Sequence, residues 1–188
     1  MTLLFNMGLP MIVPAMVFMI IGLIPIILIE AIYLSKRLTI AFKPTIGSVI
    51  IANVVLTIVG IPATWLILFI VQLITGGTSS YGVNGFLGKL LSVTLQAPWL
   101  LPFGENEAWI FYVAALFLLI PFFFSTWLVE YVVMRDKLAI EVVNIENADL
   151  DLKVAEKLVF KGTRNANLLT YGCLAFLLSA GLITAVIG

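Results

Sequence analysis

Histidine is absent from the 188 residues, and cysteine occurs once, as Cys173. The first absence removes the commonest protein metal ligand and the usual proton shuttle near neutral pH. The second rules out an intrachain disulfide. Together they leave the chain without a ligand set for zinc or an iron–sulfur cluster, and without the usual axial ligand for haem or chlorophyll. Charge is scarce too. Only 11% of residues are charged, against about 25% in an average soluble domain. Ten basic and ten acidic residues cancel, so nothing electrostatic favours a nucleic-acid partner. No G-x-S-x-G, no phosphate-binding glycine loop and no acid paired with a nucleophile occurs. No enzymatic site and no cofactor are expected, although lipid or pigment contacts along an aromatic surface are compatible with the composition.

What the chain has in excess is apolar surface. Hydrophobic residues make up 62% of it, more than a soluble fold of this size could bury. A membrane-spanning helix needs about 20 mostly apolar residues, and four stretches supply them: roughly 11–34, 47–75, 109–134 and 165–187. The expected fold is an all-α integral membrane protein, a single membrane domain over 1–188, with four transmembrane helices in two hairpins. The N-terminal stretch has no Lys or Arg before its apolar run, unlike a cleaved signal peptide, and reads as a retained helix. Pro25, Pro62 and Pro121 fall inside predicted helices and are candidates for kinks.

Orientation follows from the basic residues, because Lys and Arg stay on the cytoplasmic side. The first loop holds Lys36, Arg37 and Lys43, and the third, 135–164, holds six of the ten basic residues. The second loop has only Lys89. Loops 35–46 and 135–164 are therefore expected in the cytoplasm, with both termini outside, in the periplasm or a lumen. Such a chain suits a bacterial inner or thylakoid membrane. After the turn-rich GGTSSYGVNG, the stretch 86–103 is apolar but interrupted by Pro98 and Pro102. It reads as a short helix at the membrane surface, with Trp99 and Trp109 in the aromatic belt. Within 135–164, Ile140, Val142 and Ile145 read as the start of a small strand or an irregular segment. From Asp149 the spacing of Leu150, Val154 and Leu158 turns helical, with Asp149 or Asp151 as N-cap.

The two halves of the chain echo each other. The first helix ends Glu30-Ala-Ile-Tyr-Leu-Ser-Lys-Arg-Leu38 and the third Glu130-Tyr-Val-Val-Met-Arg-Asp-Lys-Leu138. The second contains Ala52-Asn53 with Thr57, and the fourth Ala166-Asn167 with Thr170, one position out of register. A parallel internal repeat, with its axis along the membrane normal, is one reading; chance matching of apolar helices is the other. Glu30 and Glu130 are the sharpest signals. An ionised side chain at the bilayer centre costs about 2.5–3.5 kcal/mol on insertion scales, so a carboxyl within an apolar helix needs a reason. One reason is ion or proton handling. The other is structural: each glutamate ties helices together, with Asn53 and Asn167, or Lys36, Arg37, Arg135 and Lys137, as partners. The candidate polar cluster is thus Glu30, Asn53, Glu130 and Asn167. A membrane enzyme would have to add Tyr33, Tyr131 and Tyr171 to the glutamates. Gly60, Gly172 and Gly181 would permit close helix approach, and Cys173, among apolar residues, reads as a buried inert thiol.

The segment IEAIYLSKRLTIAFKPTIGSVIIANVVLTIVGIP, residues 29–62, resembles a group of bacterial four-helix membrane proteins that includes the filament-integrity membrane proteins of filamentous cyanobacteria. In that group a membrane-edge glutamate ends one helix and an A-N dipeptide begins the next; ANLLTYG at 166–172 is similar to the same signature. The resemblance implies the four-helix architecture more than it implies a role at cell–cell junctions. The leading expectation is a non-enzymatic membrane subunit or scaffold of a larger membrane complex, with membrane lipids and other membrane subunits as partners. The alternative is a small transporter or channel component using the membrane-edge glutamates.

Overall fold

The computed structural model describes residues 9–60, 66–67, 70–71, 73–74, 85–96, 109–145 and 151–187, with side chains at most positions from 21 onward. Its elements are helices α1 (Leu9–Leu38), α2 (Phe42–Val55, continued by a π-helical turn Leu56–Gly60), α3 (Phe86–Gln96), α4 (Trp109–Ile145) and α5 (Leu152–Ile187). Phe42–Val59, Trp109–Ile145 and Leu152–Ile187 are each long and apolar enough to cross a membrane. They place the chain among all-helical integral membrane proteins. Residues 97–103 of the expected surface segment, Pro62 and Asp149 lie outside the described residues.

Local chemistry sets the helix ends. α1 stops because Thr39 adopts a left-handed conformation, φ 57°. The Ile40 N–H then reaches back to the Ser35 carbonyl at 3.1 Å, and the Ser35 hydroxyl donates to the Ile40 carbonyl at 2.7 Å. This is the Schellman closure that glycine usually makes. α5 starts where the Asp151 carboxylate accepts the Lys153 N–H at 3.1 Å, an aspartate N-cap. α1 continues through Pro25 and α4 through Pro121.

One expectation fails here. Residues 135–145, read as a loop with a strand or irregular start at Ile140, belong to α4. Leu138, Ala139 and Val142 are buried while Ile140 is exposed, a three-and-four spacing that places one helical stripe inside. The alternation of apolar and polar residues misled because a short stretch of a 3.6-residue period can mimic a period of two.

The contacts divide the chain into two compact units. In the first, made of 1–19, 62–121 and 173–188, Ile110 and Ala114 are buried against Leu90 and Trp109. Phe86 stacks on Trp109 with centroids 5.6 Å apart. Gly181 lies directly under the Tyr112 ring: a Cβ there would stand 2.3 Å from Cε1. Gly172, by contrast, faces open space, so it does not serve close approach as its residue type suggested. Cys173 is exposed rather than buried; its helix face points outward among apolar neighbours.

The second unit, 20–61 and 122–172, holds the main core. Leu34, Leu38, Val49, Met134, Leu138, Val142 and Val159 fill it, and Ala31, Ala52, Ala139, Ala155 and Ala166 bring backbones close. Lipid gives helices no hydrophobic reason to associate, so small residues and fitted ridges must do so. α1 and α4 each bury a row with a four-residue step, Glu30-Leu34-Leu38 and Glu130-Met134-Leu138, with Ala31 and Ala139 buried beside it. α2 and α5 each bury two adjacent rows, Thr45-Val49-Asn53 with Ser48-Ala52, and Val159-Thr163-Asn167 with Gly162-Ala166. Gly162 makes room for Leu34, whose Cδ2 would lie 3.2 Å from an added Cβ.

Burial repeats along the chain. Between 21–38 and 121–138, 16 of 18 paired positions share the same degree of exposure, the exceptions being 26/126 and 31/131. Each buried residue of α2 has a buried counterpart 114 positions later: Thr45, Ser48, Val49, Ala52 and Asn53 match Val159, Gly162, Thr163, Ala166 and Asn167.

Two substitutions test these packing statements. Thr39→Gly removes a Cβ from a left-handed, exposed position and should stabilise the chain in mixed-micelle denaturation by about 0.5–1 kcal/mol. Gly181→Ala should destabilise the first unit by about 1–3 kcal/mol through overpacking against Tyr112, read as earlier loss of tertiary signal there.

Candidate functional site

The polar residues singled out from the sequence meet inside the second unit. Glu30 of α1, Asn53 of α2, Glu130 of α4 and Asn167 of α5 are each at most 1% exposed. They lie on the buried rows just described, so the same periodicity that builds the core brings them together. All four carboxylate oxygens are engaged. Asn53 Nδ2 donates to Glu30 Oε2 at 3.1 Å and to Glu130 Oε1 at 3.3 Å, bridging the two glutamates. Asn167 Nδ2 donates to Glu130 Oε2. Thr170 Oγ1 donates to Glu30 Oε1 at 3.2 Å.

Thr170 is the residue the sequence reading underused. It stood out as an imperfect match to Thr57, one position out of register. That offset matters physically. Thr57 donates to its own helix at the Asn53 carbonyl, 2.8 Å away, whereas Thr170 is three residues from Asn167 and reaches the carboxylate across the bundle. The near-symmetric halves therefore close their cluster by different means. Asn53 crosses from one half to the other; from the other side Thr170, not Asn167, makes the crossing.

The basic residues proposed as alternative partners do not take part. Lys36, Arg37 and Lys137 are exposed, and Arg135 binds its neighbour Asp136 at 2.7 Å. Among the described residues, no lysine or arginine pairs with either glutamate. The tyrosines stand apart as well. The Tyr171 hydroxyl is shared with Thr126 Oγ1 at 2.7 Å, and Tyr131 packs edge-on against Phe160 with centroids 5.0 Å apart. Trp127 donates to the Phe160 carbonyl at 3.4 Å, fixing an aromatic layer between α4 and α5.

Hydrogen bonds between membrane helices average about 0.6 kcal/mol where measured. The larger effect is the cost of leaving a buried carboxyl unpaired, about 1–3 kcal/mol or more for a charged group. One atom is already in that position: Asn167 Oδ1 is buried and has no hydrogen-bond partner among the described residues. Chemically, the arrangement is an all-oxygen and amide cluster. Among the described residues, no group of three or more His, Cys, Asp or Glu side chains is placed to hold a metal ion. Comparison with protein-family models, curated proteins and solved structures finds no match for this chain.

Because one amide serves both glutamates, Asn53→Ala should cost about 1–3 kcal/mol, two interhelical bonds at about 0.6–1.7 kcal/mol each. Thr57→Val, which removes only a bond within its own helix, should cost less than about 1 kcal/mol. Equilibrium unfolding in mixed detergent micelles separates the two; equal losses would show that the bridge carries no special weight.

Proposed function

We propose that the chain is a non-enzymatic integral membrane subunit or scaffold of a larger membrane complex. It would cross the membrane four times, in two hairpins related as a parallel repeat, with both termini outside and the connections at 35–46 and 135–164 in the cytoplasm. The repeat is supported by the matched burial of 21–38 with 121–138 and of α2 with α5. The membrane topology is supported by the distribution of Lys and Arg. The observation that carries the functional reading is where the polar chemistry lies. The glutamates, asparagines and Thr170 are all turned into one buried cluster that joins four helices. The outer surface is left to exposed apolar and aromatic side chains such as Phe117, Phe124, Val132, Phe176 and Leu177. A chain so organised offers its surroundings a fixed shape with lipid- and protein-facing hydrophobes. Its partners would be membrane lipids and other membrane subunits.

A second reading, a small transporter or channel component, is favoured by one specific observation: two carboxyl groups from different helices share a single amide, and among the described residues no lysine or arginine pairs with them. Transport sites in broken-helix carriers include interrupted helices, and the π turn begins three residues after Asn53, at Leu56.

Purification from native membranes in mild detergent, followed by mass spectrometry, tests the first reading: stoichiometric membrane partners are expected, and a chain that emerges alone speaks against it. Glu30→Gln and Glu130→Gln discriminate between the two. A scaffold predicts weakened assembly with each variant; a conductive role predicts lost ion flux with assembly intact.

A further inference from the structure

Two features of the cluster remain unexplained by a purely structural tie. The first is charge. Glu30 and Glu130 bring two carboxyl groups together, and their partners Asn53, Asn167 and Thr170 are all neutral. Neutral donors orient a carboxylate without cancelling its charge. The charged side chains on the same helices do not reach inward: Lys36 and Arg37 on α1, Lys43 on α2, Lys137 on α4, and Lys161 and Arg164 on α5 are exposed, while Arg135 is engaged with Asp136.

The second feature is Asn167 Oδ1. The side chain is fully buried, its Nδ2 is committed to Glu130 and to the Thr163 carbonyl, and its oxygen has no hydrogen-bond partner. A buried acceptor of this kind calls for an explanation, a bound ion among them. It belongs to the same planar amide whose nitrogen binds Glu130, in a cluster where, among the described residues, no lysine or arginine pairs with either glutamate. The N–H and O–H donors of the cluster are directed elsewhere: the two hydrogens of Asn53 Nδ2 are shared among the two glutamates and the Val49 carbonyl, and the single Thr170 hydroxyl hydrogen among Glu30 and two carbonyls of its own helix. The lone pairs that remain can be filled by a positive ion.

We propose that the cluster binds one hard inorganic cation, of the Na⁺ or Ca²⁺ class, through the carboxylate oxygens of Glu30 and Glu130 and through Asn167 Oδ1. A carboxylate oxygen has room for more than the single hydrogen bond each receives here, so Asn53 and Thr170 hold the carboxylates in place while their other lone pairs face the ion. The donor set is oxygen alone. It suits hard cations, and it lacks the imidazole and thiolate that select zinc, copper or iron. The proposal concerns the tie itself, and it holds whether the chain proves to be a subunit or a transporter.

The test uses the full chain in dodecyl maltoside. Its thermal unfolding midpoint is followed against NaCl and, separately, CaCl₂, each balanced with choline chloride to constant ionic strength. The expected result is a saturable rise in midpoint with one of the two cations and none with choline; the responding arm identifies the ion. Radiolabelled Na⁺ or Ca²⁺ should bind the wild-type chain at about one ion per chain, a reading that needs no variant. In Glu130→Gln and Glu30→Gln the half-saturating concentration should rise at least tenfold, while Thr57→Val retains the wild-type response. Superimposable curves in choline, Na⁺ and Ca²⁺ would overturn the proposal. So would stabilisation that follows acidification alone, which would make the occupant a proton, or a cation response that survives in both glutamate variants.

Discussion

The amide of Asn53 is the contact on which the second unit turns. It touches one glutamate from its own half of the chain and one from the other, so α1, α2 and α4 cannot separate without exposing a buried carboxyl group. In hydrocarbon such exposure is costly, because no water is at hand to replace the lost bond. Asn167 and Thr170 add α5 to the same set. The apolar core around it, rich in alanine, supplies fit rather than adhesion, since lipid tails solvate those side chains as well as a neighbouring helix does. Polar contacts give the bundle its specific pairing, and small residues let the helices come near enough to make them.

Much of this was legible beforehand for a physical reason. An apolar helix tolerates few carboxyl groups, so Glu30 and Glu130 stand out against their background, and Asn53 and Asn167 stand out for the same reason. Their common spacing from the ends of their helices pointed to a shared location. Thr170 was harder to read, because threonine is unremarkable in a membrane helix and can bond to its own backbone, as Thr57 does. Gly162 gave no signal either: its value lies in Leu34 and Leu38, more than 120 residues away in the chain. The extension of α4 through residues 135–145 was hidden by charges that resemble those of a loop, although Leu138, Ala139 and Val142 keep a helical stripe apolar. Cys173 shows the reverse error. In a membrane protein an apolar neighbourhood in sequence does not mean burial within the protein, because the outward face is apolar too.

The two halves differ most at the connections that follow Glu30 and Glu130. The first passes from α1 to α2 in a few residues, closed by the left-handed Thr39. The second is longer, with α4 continuing to Ile145 and α5 beginning at Leu152. The matched burial is offset by 100 positions in the first helices and 114 in the second, so the added length falls between the glutamate and the asparagine of the later half. Chain length in a connection changes little in the packed rows it joins, so one pattern of burial is compatible with two different connections.

The four-residue rows have a mechanical meaning. A helix whose buried side chains recur every four residues can slide along its neighbours only by whole steps of about 6 Å; any smaller displacement sets ridge on ridge. With the glutamates and asparagines occupying single places on those rows, even a full step would strand them opposite aliphatic side chains. The bundle therefore behaves as a latch with one closed position.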